Sequence, residues 1–270
     1  MSTEYATIRV SFDGVVCRMQ LHRPDYDNTI TETMVRECHE VLDRCELCCT
    51  VLVVEGLPDV FCHGADFSSY HTEADARQAT ERDPSSLYDL WTRMAAGPLV
   101  TVAHARGTTM AGGVGFVAAS DIVIADRAAS FGLTELLFGL YPAMVLPFLS
   151  RRVGHQRAHY MTLMTKPVTA EDAADWGLVD VCSERSDVVV SQHIRRLSKL
   201  PKDGVAAYKR FVGDQTGSIR GQREESVAAN RRIFSDPGNL ERIGRFVEQG
   251  IYPWERGDSA SRAADQSIAG

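Results

Sequence analysis

The chain has 270 residues, 44% of them hydrophobic and 24% charged, the composition of an ordinary globular protein with a sizeable core. Its 29 basic and 36 acidic side chains give a formal net charge of −7, which disfavours a general nucleic-acid binder with a basic surface and leaves room for a local basic patch. No apolar run approaches the ~18–20 residues that a membrane span needs, and the opening MSTEYATIRV lacks the basic-then-apolar pattern of a secretory leader.

Seven cysteines (Cys17, Cys38, Cys45, Cys48, Cys49, Cys62 and Cys182) are odd in number and irregular in spacing. The expectation is a reduced, cytoplasmic protein. CELCC at 45–49 offers no second ligand pair, so these are expected to be buried structural thiols and no metal is expected.

Residues 5–21 alternate as two strands turned at Asp13-Gly14. After the loop HRPDYDNTI, the residues Met34, Val35, Cys38, Val41, Leu42 and Cys45 recur at helical spacing behind Thr31, a ready N-cap. TVLVVEG (50–56) reads as a strand buried on both faces. The alternation continues with a helix at 85–96, a strand at 99–105, a helix at 112–119 and a strand at 121–126. That order predicts a β/α architecture with parallel strands. Residues 68–84 are polar and aperiodic and read as a surface segment. Beyond TAEDAADWGLVD (169–180), strand patterns give way to helices near 187–199, 203–213, 222–234 and 239–249. The expected organisation is a core over 1–185, a helical segment over 186–255 and a disordered tail over 256–270.

GTTMAGGVG (107–115) places four glycines between a strand and a helix start. A P-loop needs lysine where Gly113 stands, and a dinucleotide fingerprint lacks its third glycine here. Two readings remain: close helix–strand packing, or a backbone N–H exposed to an oxygen that gains negative charge. A second glycine turn, VFCHGADF (60–67), follows another strand. Turns after adjacent parallel strands meet at the carboxyl edge of a sheet, where ligand sites form.

The pieces HRPDYDN (22–28), FCHGADF (61–67), RGTTMAGGVGFVAASDIVIAD (106–126), ASFGLTELLFGLYP (129–142) and AEDAADWGLVD (170–180) together resemble the crotonase, or enoyl-CoA hydratase/isomerase, superfamily. The resemblance implies a spiral of ββα units with a helical C-terminal oligomerisation segment, assembled as trimers or hexamers. It implies acyl thioester substrates, on CoA or on the phosphopantetheine of an acyl carrier protein, and no other cofactor. Carried over by position, the oxyanion hole would be the N–H groups of His63 and Gly112. One of the two glutamates common in hydratases falls at Gly115 and is absent. The other, in FGxPExxxG, is Glu135 in FGLTELLFG, with Thr134 in place of proline. Glu135 is therefore the candidate acid/base, and its apolar sequence neighbours would raise its pKa. Asp66 reads as a cap, and His155 with His159 as a solvated helix face.

LYDLWTRMAAGPLVTVAHARG, AHYMTLMTKP and YPWE resemble more narrowly the enoyl-CoA hydratase-like dehydratases of polyketide β-branching cassettes. This implies dehydration of 3-hydroxy-3-methylglutaryl on an acyl carrier protein to the 3-methylglutaconyl thioester. The substrate's free carboxylate asks for a cation or several donors. Candidates are Tyr70, His71, Arg82, Tyr88 and Tyr141, with Arg82 and Tyr88 first. Lys199, Lys202, Lys209 and Arg210 are candidate contacts for an acidic carrier. The alternatives are a hydratase, isomerase or decarboxylase acting on acyl-CoA, and a non-catalytic scaffold of the same fold.

Overall fold

The computed structural model of the chain describes residues 4–66, 83–216 and 218–255. The expected surface segment and tail lie almost wholly outside them.

A six-stranded sheet forms the centre, in the order β1 (Ile8–Asp13), β2 (Val16–Leu21), β3 (Val51–Glu55), β5 (Val100–Ala105), β7 (Ile122–Asp126) and β10 (Val181–Ser183). β1 and β2 form an antiparallel hairpin turned at Gly14, whose φ of +56° suits glycine. Every other pairing in this sheet is parallel.

Alternation within the central strands splits the core in two. Leu52, Val54, Ala103 and Ala105 face helices α1 (Glu32–Cys48), α2 (Ser85–Ala96) and α3 (Gly112–Ala119). Val51, Val53, Val100 and Val102 face Val190 and Val205, on α6 (Ser186–Leu197) and α7 (Lys202–Thr216). Thr31 caps α1 as its sequence position predicts, accepting from the Met34 N–H.

A second sheet of short strands has the order β4 (Val60–Cys62), β6 (Thr108–Met110), β8 (Ser130–Gly132) and β9 (Val168–Thr169). The parallel pairing of β4 with β6 sets the two glycine turns side by side. Between the sheets runs α3, packed so closely on β4 that a β-carbon at Gly113 would collide with Cys62. After β8 come a 3-10 turn at Glu135–Phe138, α4 (Leu146–Met164, kinked at Gly154) and α5 (Ala170–Asp175). The helical end continues through α8 (Ser218–Gly221) to α9 (Arg223–Phe234) and α10 (Pro237–Gln249). Among the described residues no helix is long and apolar enough to cross a membrane.

The thiols of Cys38 and Cys62 are buried and pushed up in pKa by loss of water, Cys62 to about 12, so they stay neutral core groups. Two proposed carrier contacts are engaged with the chain's own carbonyls, Lys209 buried and Lys202 half-buried. Lys209 is buried and donates to the Met94 and Leu99 carbonyls and to Asp121, which its burial opposes by lowering its pKa. Lys202 donates to the Cys45 and Glu46 carbonyls. Lys199 and Arg210 are exposed.

Candidate active site

The two glycine turns open onto a cavity of about 870 Å³. Its walls come from the start of α1, the turn after β4, Leu87 and Trp91 of α2, and Ala111-Gly112 at the start of α3. The 3-10 turn, the segment 140–145, and side chains of α9 and α10 complete them.

The loop 22–30 builds the first turn. Asn28 is fully buried and left-handed at φ +53°, a conformation asparagine tolerates. Its Oδ1 accepts from the Arg23 N–H at 2.7 Å, and its Nδ2 donates to the Phe61 carbonyl at 3.1 Å. Arg23 donates to the Thr29 carbonyl and hydroxyl and to Asp66. Asp66 is thus an ion-paired anchor for this turn.

This clamp corrects the expected oxyanion hole. The His63 N–H donates to the Asp27 carbonyl at 3.2 Å, so it is not available to a ligand. Gly64, at φ +84°, then reverses the chain. The next amide, that of Ala65, donates to nothing among the described residues and lies in the cavity wall. Its nitrogen stands 4.0 Å from where a β-carbon on Gly112 would be. A β-carbon on Gly64 would come within 3.0 Å of the Gly112 nitrogen itself. The converging pair is Ala65 and Gly112. The His63 imidazole also lines the cavity, with Nε2 2.6 Å from the Thr108 hydroxyl and Nδ1 3.7 Å from an Asp27 carboxylate oxygen.

Gly112 opens α3 behind Ala111, a non-glycine residue held at φ +49° and ψ −121°. That strained geometry is supported by the Ala111 N–H, which donates to the Gly132 carbonyl of β8 at 2.8 Å. The helix start leaves the Gly112 N–H without an intrahelical acceptor.

Glu135 begins the 3-10 turn and lines the same cavity. The residue is partly exposed, but its Oε2 is buried and has no hydrogen-bond partner. Loss of water pushes the carboxyl up to about 7, against the backbone N–H groups of Glu135 and Thr134, which pull it down. Gly139 (φ +81°) closes the turn, and a β-carbon there would press on Asn239 Oδ1 and Arg242 Nη1 of α10. The carboxyl-bearing turn is therefore braced by α10.

No carboxylate could stand at residue 115 without rebuilding the site. A β-carbon on Gly115 would lie 2.5 Å from Cη2 and 2.8 Å from Cε2 of Trp91, whose ring fills that space. Trp91 is 1% exposed and meets Phe116 and Phe148 edge-on, at 5.8 Å between centroids in each case.

Of the candidates for a distal carboxylate, Tyr141 lines the cavity and is 40% exposed. Tyr88 does not line it. Its ring is fully buried beneath α2 and its hydroxyl donates to the Ile219 carbonyl at 2.6 Å, so its assignment as a substrate contact is corrected to a core residue. Tyr70, His71 and Arg82 lie outside the described residues. Sequence reasoning missed two exposed cations of the wall: Arg36, and Arg231 of α9, which pairs with Asp83 at 2.7 Å. It also missed Trp91, whose signal was a tryptophan one turn beyond Tyr88 on the apolar face of α2. The rings of His155 and His159 stack at 5.8 Å, and the described residues contain no cluster of three or more potential metal ligands.

Residues 11–257 match the family described as enoyl-CoA hydratase/isomerase. The chain is 50% identical over 254 residues to the bacillaene synthase dehydratase PksH of Bacillus subtilis, covering 93% of this chain and 97% of that one. It is 29% identical to the mevalonyl-coenzyme A hydratase SIDH of Beauveria bassiana, over 75% of this chain and 77% of the other. The crystal structure of a putative polyketide biosynthesis enoyl-CoA hydratase from Bacillus subtilis superposes with a TM-score of 0.90 at 49% identity, over 93% of this chain and all of that one. With Ala65, Gly112 and a Glu135 carboxyl of raised pKa lining one cavity, and this match along its length, the chain belongs to the enoyl-CoA hydratase/isomerase family, as an enzyme of the hydratase/dehydratase type on the crotonase fold.

Proposed function

We propose that this protein dehydrates 3-hydroxy-3-methylglutaryl, carried on the phosphopantetheine of an acyl carrier protein, to the 3-methylglutaconyl thioester during polyketide β-branching. The observation that carries the reading is the single unpaired carboxyl oxygen of Glu135 in a wall that has no room for a second carboxylate at residue 115. Likeness to a polyketide dehydratase supports the pathway.

One carboxyl group suffices for a syn elimination. The Ala65 and Gly112 amides donate to the thioester oxygen, which spreads negative charge from C2. Glu135, ionised, takes the proton from C2. The C2–C3 double bond forms as the C3–O bond breaks. The protonated Glu135 returns its proton to the departing oxygen, and water leaves. A pKa near 7 lets the same group act as base and then as acid at neutral pH. Arg231 and Arg36 offer positive charge to the substrate's distal carboxylate. The carrier is the expected partner, and trimers or hexamers of this chain are the expected assembly, with no further cofactor.

Mass spectrometry of the carrier tests this directly. Hydroxymethylglutaryl-carrier incubated with the protein should lose 18 Da, faster than crotonyl-CoA gains 18 Da in a parallel reaction. No loss from the carrier, with brisk hydration of crotonyl-CoA, would replace the reading with that of an acyl-CoA hydratase.

A further inference from the structure

Among the described residues that line the cavity, two side-chain atoms are buried and lack a hydrogen-bond partner: Oε2 of Glu135 and Nε1 of Trp91. Buried polar groups without partners are uncommon, and each asks for an explanation. One is an acceptor when ionised and the other is a donor only. A hydroxyl group on a ligand is the simplest partner that answers both.

The indole is placed for this. The benzo edge of its ring, Cζ2, Cη2 and Cε2, packs on α3 at Gly115, and Nε1 is bonded to the last of these. Gly115 is three residues beyond Gly112, about 4.5 Å of helix rise from the amide that faces the thioester oxygen. In a 3-hydroxyacyl thioester the hydroxyl oxygen is three bonds from the carbonyl carbon, so a donor about one turn into α3 would serve that oxygen and not the thioester oxygen. Phe116 and Phe148 meet the ring edge-on, and its residue lines the cavity.

We infer that the Trp91 indole N–H donates a hydrogen bond to the 3-hydroxyl oxygen of the substrate, and steadies that oxygen as its bond to C3 breaks. The inference rests on the dehydratase reading. Trp91 keeps its own hydrogen throughout. The proton that completes water comes from Glu135, and the electron pair of the C3–O bond leaves with the oxygen. The indole thereby makes Trp91 a catalytic residue, and the bare Gly115 is what admits it.

The test compares two reactions on the same carrier. Dehydration of the 3-hydroxy-3-methylglutaryl form needs the leaving oxygen. Exchange of the C2 proton in D2O on the 3-methylglutaryl form, which lacks the hydroxyl, needs only the amides and Glu135. Trp91→Phe and Trp91→benzothienylalanine, which keeps the ring shape but not the N–H, should both lower the kcat for dehydration about 10- to 100-fold. KM should change less than threefold and the exchange rate less than twofold. Wild-type dehydration by both variants would overturn the inference, leaving the N–H spent on a neighbouring ring. Equal loss of exchange and dehydration would also overturn it and make the indole a wall only. If wild-type protein itself removes no water from the 3-hydroxy substrate, the dehydratase reading falls first and the inference falls with it.

Discussion

Arg23 Nη2 donates to Asp66 Oδ2 at 2.9 Å, and the two side chains are only 13% and 12% exposed. This ion pair ties a loop near the start of the chain to the turn whose next-to-last amide, that of Ala65, faces the cavity. Removing one partner leaves a buried charge uncompensated, so Arg23→Ala should cost about 3–5 kcal/mol of stability in urea unfolding. Arg23→Ala combined with Asp66→Asn should recover part of that loss. Neither variant should recover full kcat, since the turn loses its clamp in both. Full activity in Arg23→Ala would show that the Ala65 amide is held by other means.

Glu135 makes opposite predictions for activity and stability. Glu135→Gln should lower kcat by about 10²–10⁴-fold, the usual worth of a positioned acid or base. In the wild type, kcat/KM should fall as pH drops through about 7, because the base must be ionised. The folded-state pKa is raised, so ionisation weakens the fold as pH climbs from the ordinary carboxylate range toward 7. At pH 8 the glutamine variant should therefore melt higher than wild type, by an equivalent of roughly 1–3 kcal/mol after allowing for screening by water. At pH 4 the difference should vanish. A pH profile flat between 6 and 8 would count against residue 135 as the base.

Gly115→Ala should be costly in spite of its small size. The added carbon meets the indole of Trp91 inside contact distance. Overpacking of this kind costs about 1–3 kcal/mol. Trp91→Phe should absorb much of it, so the double variant should be less destabilised than the sum of the singles. Strict additivity in thermal melts would mean that the two residues do not touch.

Tyr88→Phe separates a core role from a binding role. It leaves the buried Ile219 carbonyl without its donor, at a cost of about 1–3 kcal/mol. KM for the carrier substrate should stay within twofold of wild type. A large rise in KM at unchanged stability would return Tyr88 to the list of substrate contacts.

The fold was legible wherever local pattern decides. Thr31 announces α1, Asp13-Gly14 announces the hairpin, the bounds of α2 follow from apolar spacing, and those of α3 from a run of small and apolar residues. The second sheet escaped because β4, β6 and β8 have three residues each, too few to show a period. Within the site, the glycines disclosed that backbone is exposed, but not which amide is free. That depends on the Asp27 carbonyl, supplied by a loop more than thirty residues upstream, which claims the His63 N–H. Tyr88 illustrates the opposite failure. Its hydroxyl attracted a binding role, although Tyr88, Trp91 and Ala95 recur at the spacing of one buried helix face. Arg231 gave no signal, because its place in the wall comes from the docking of α9, which no local pattern encodes.

The brace at Gly139 has a temporal consequence. The turn that bears Glu135 leans on Asn239 and Arg242, about a hundred residues later in the chain. During synthesis the oxyanion turns and the acid emerge about a hundred residues before their buttress. A nascent chain should therefore gain competence abruptly once residues 237–249 have emerged, and a frameshift before residue 237 should leave a folded sheet with no working base.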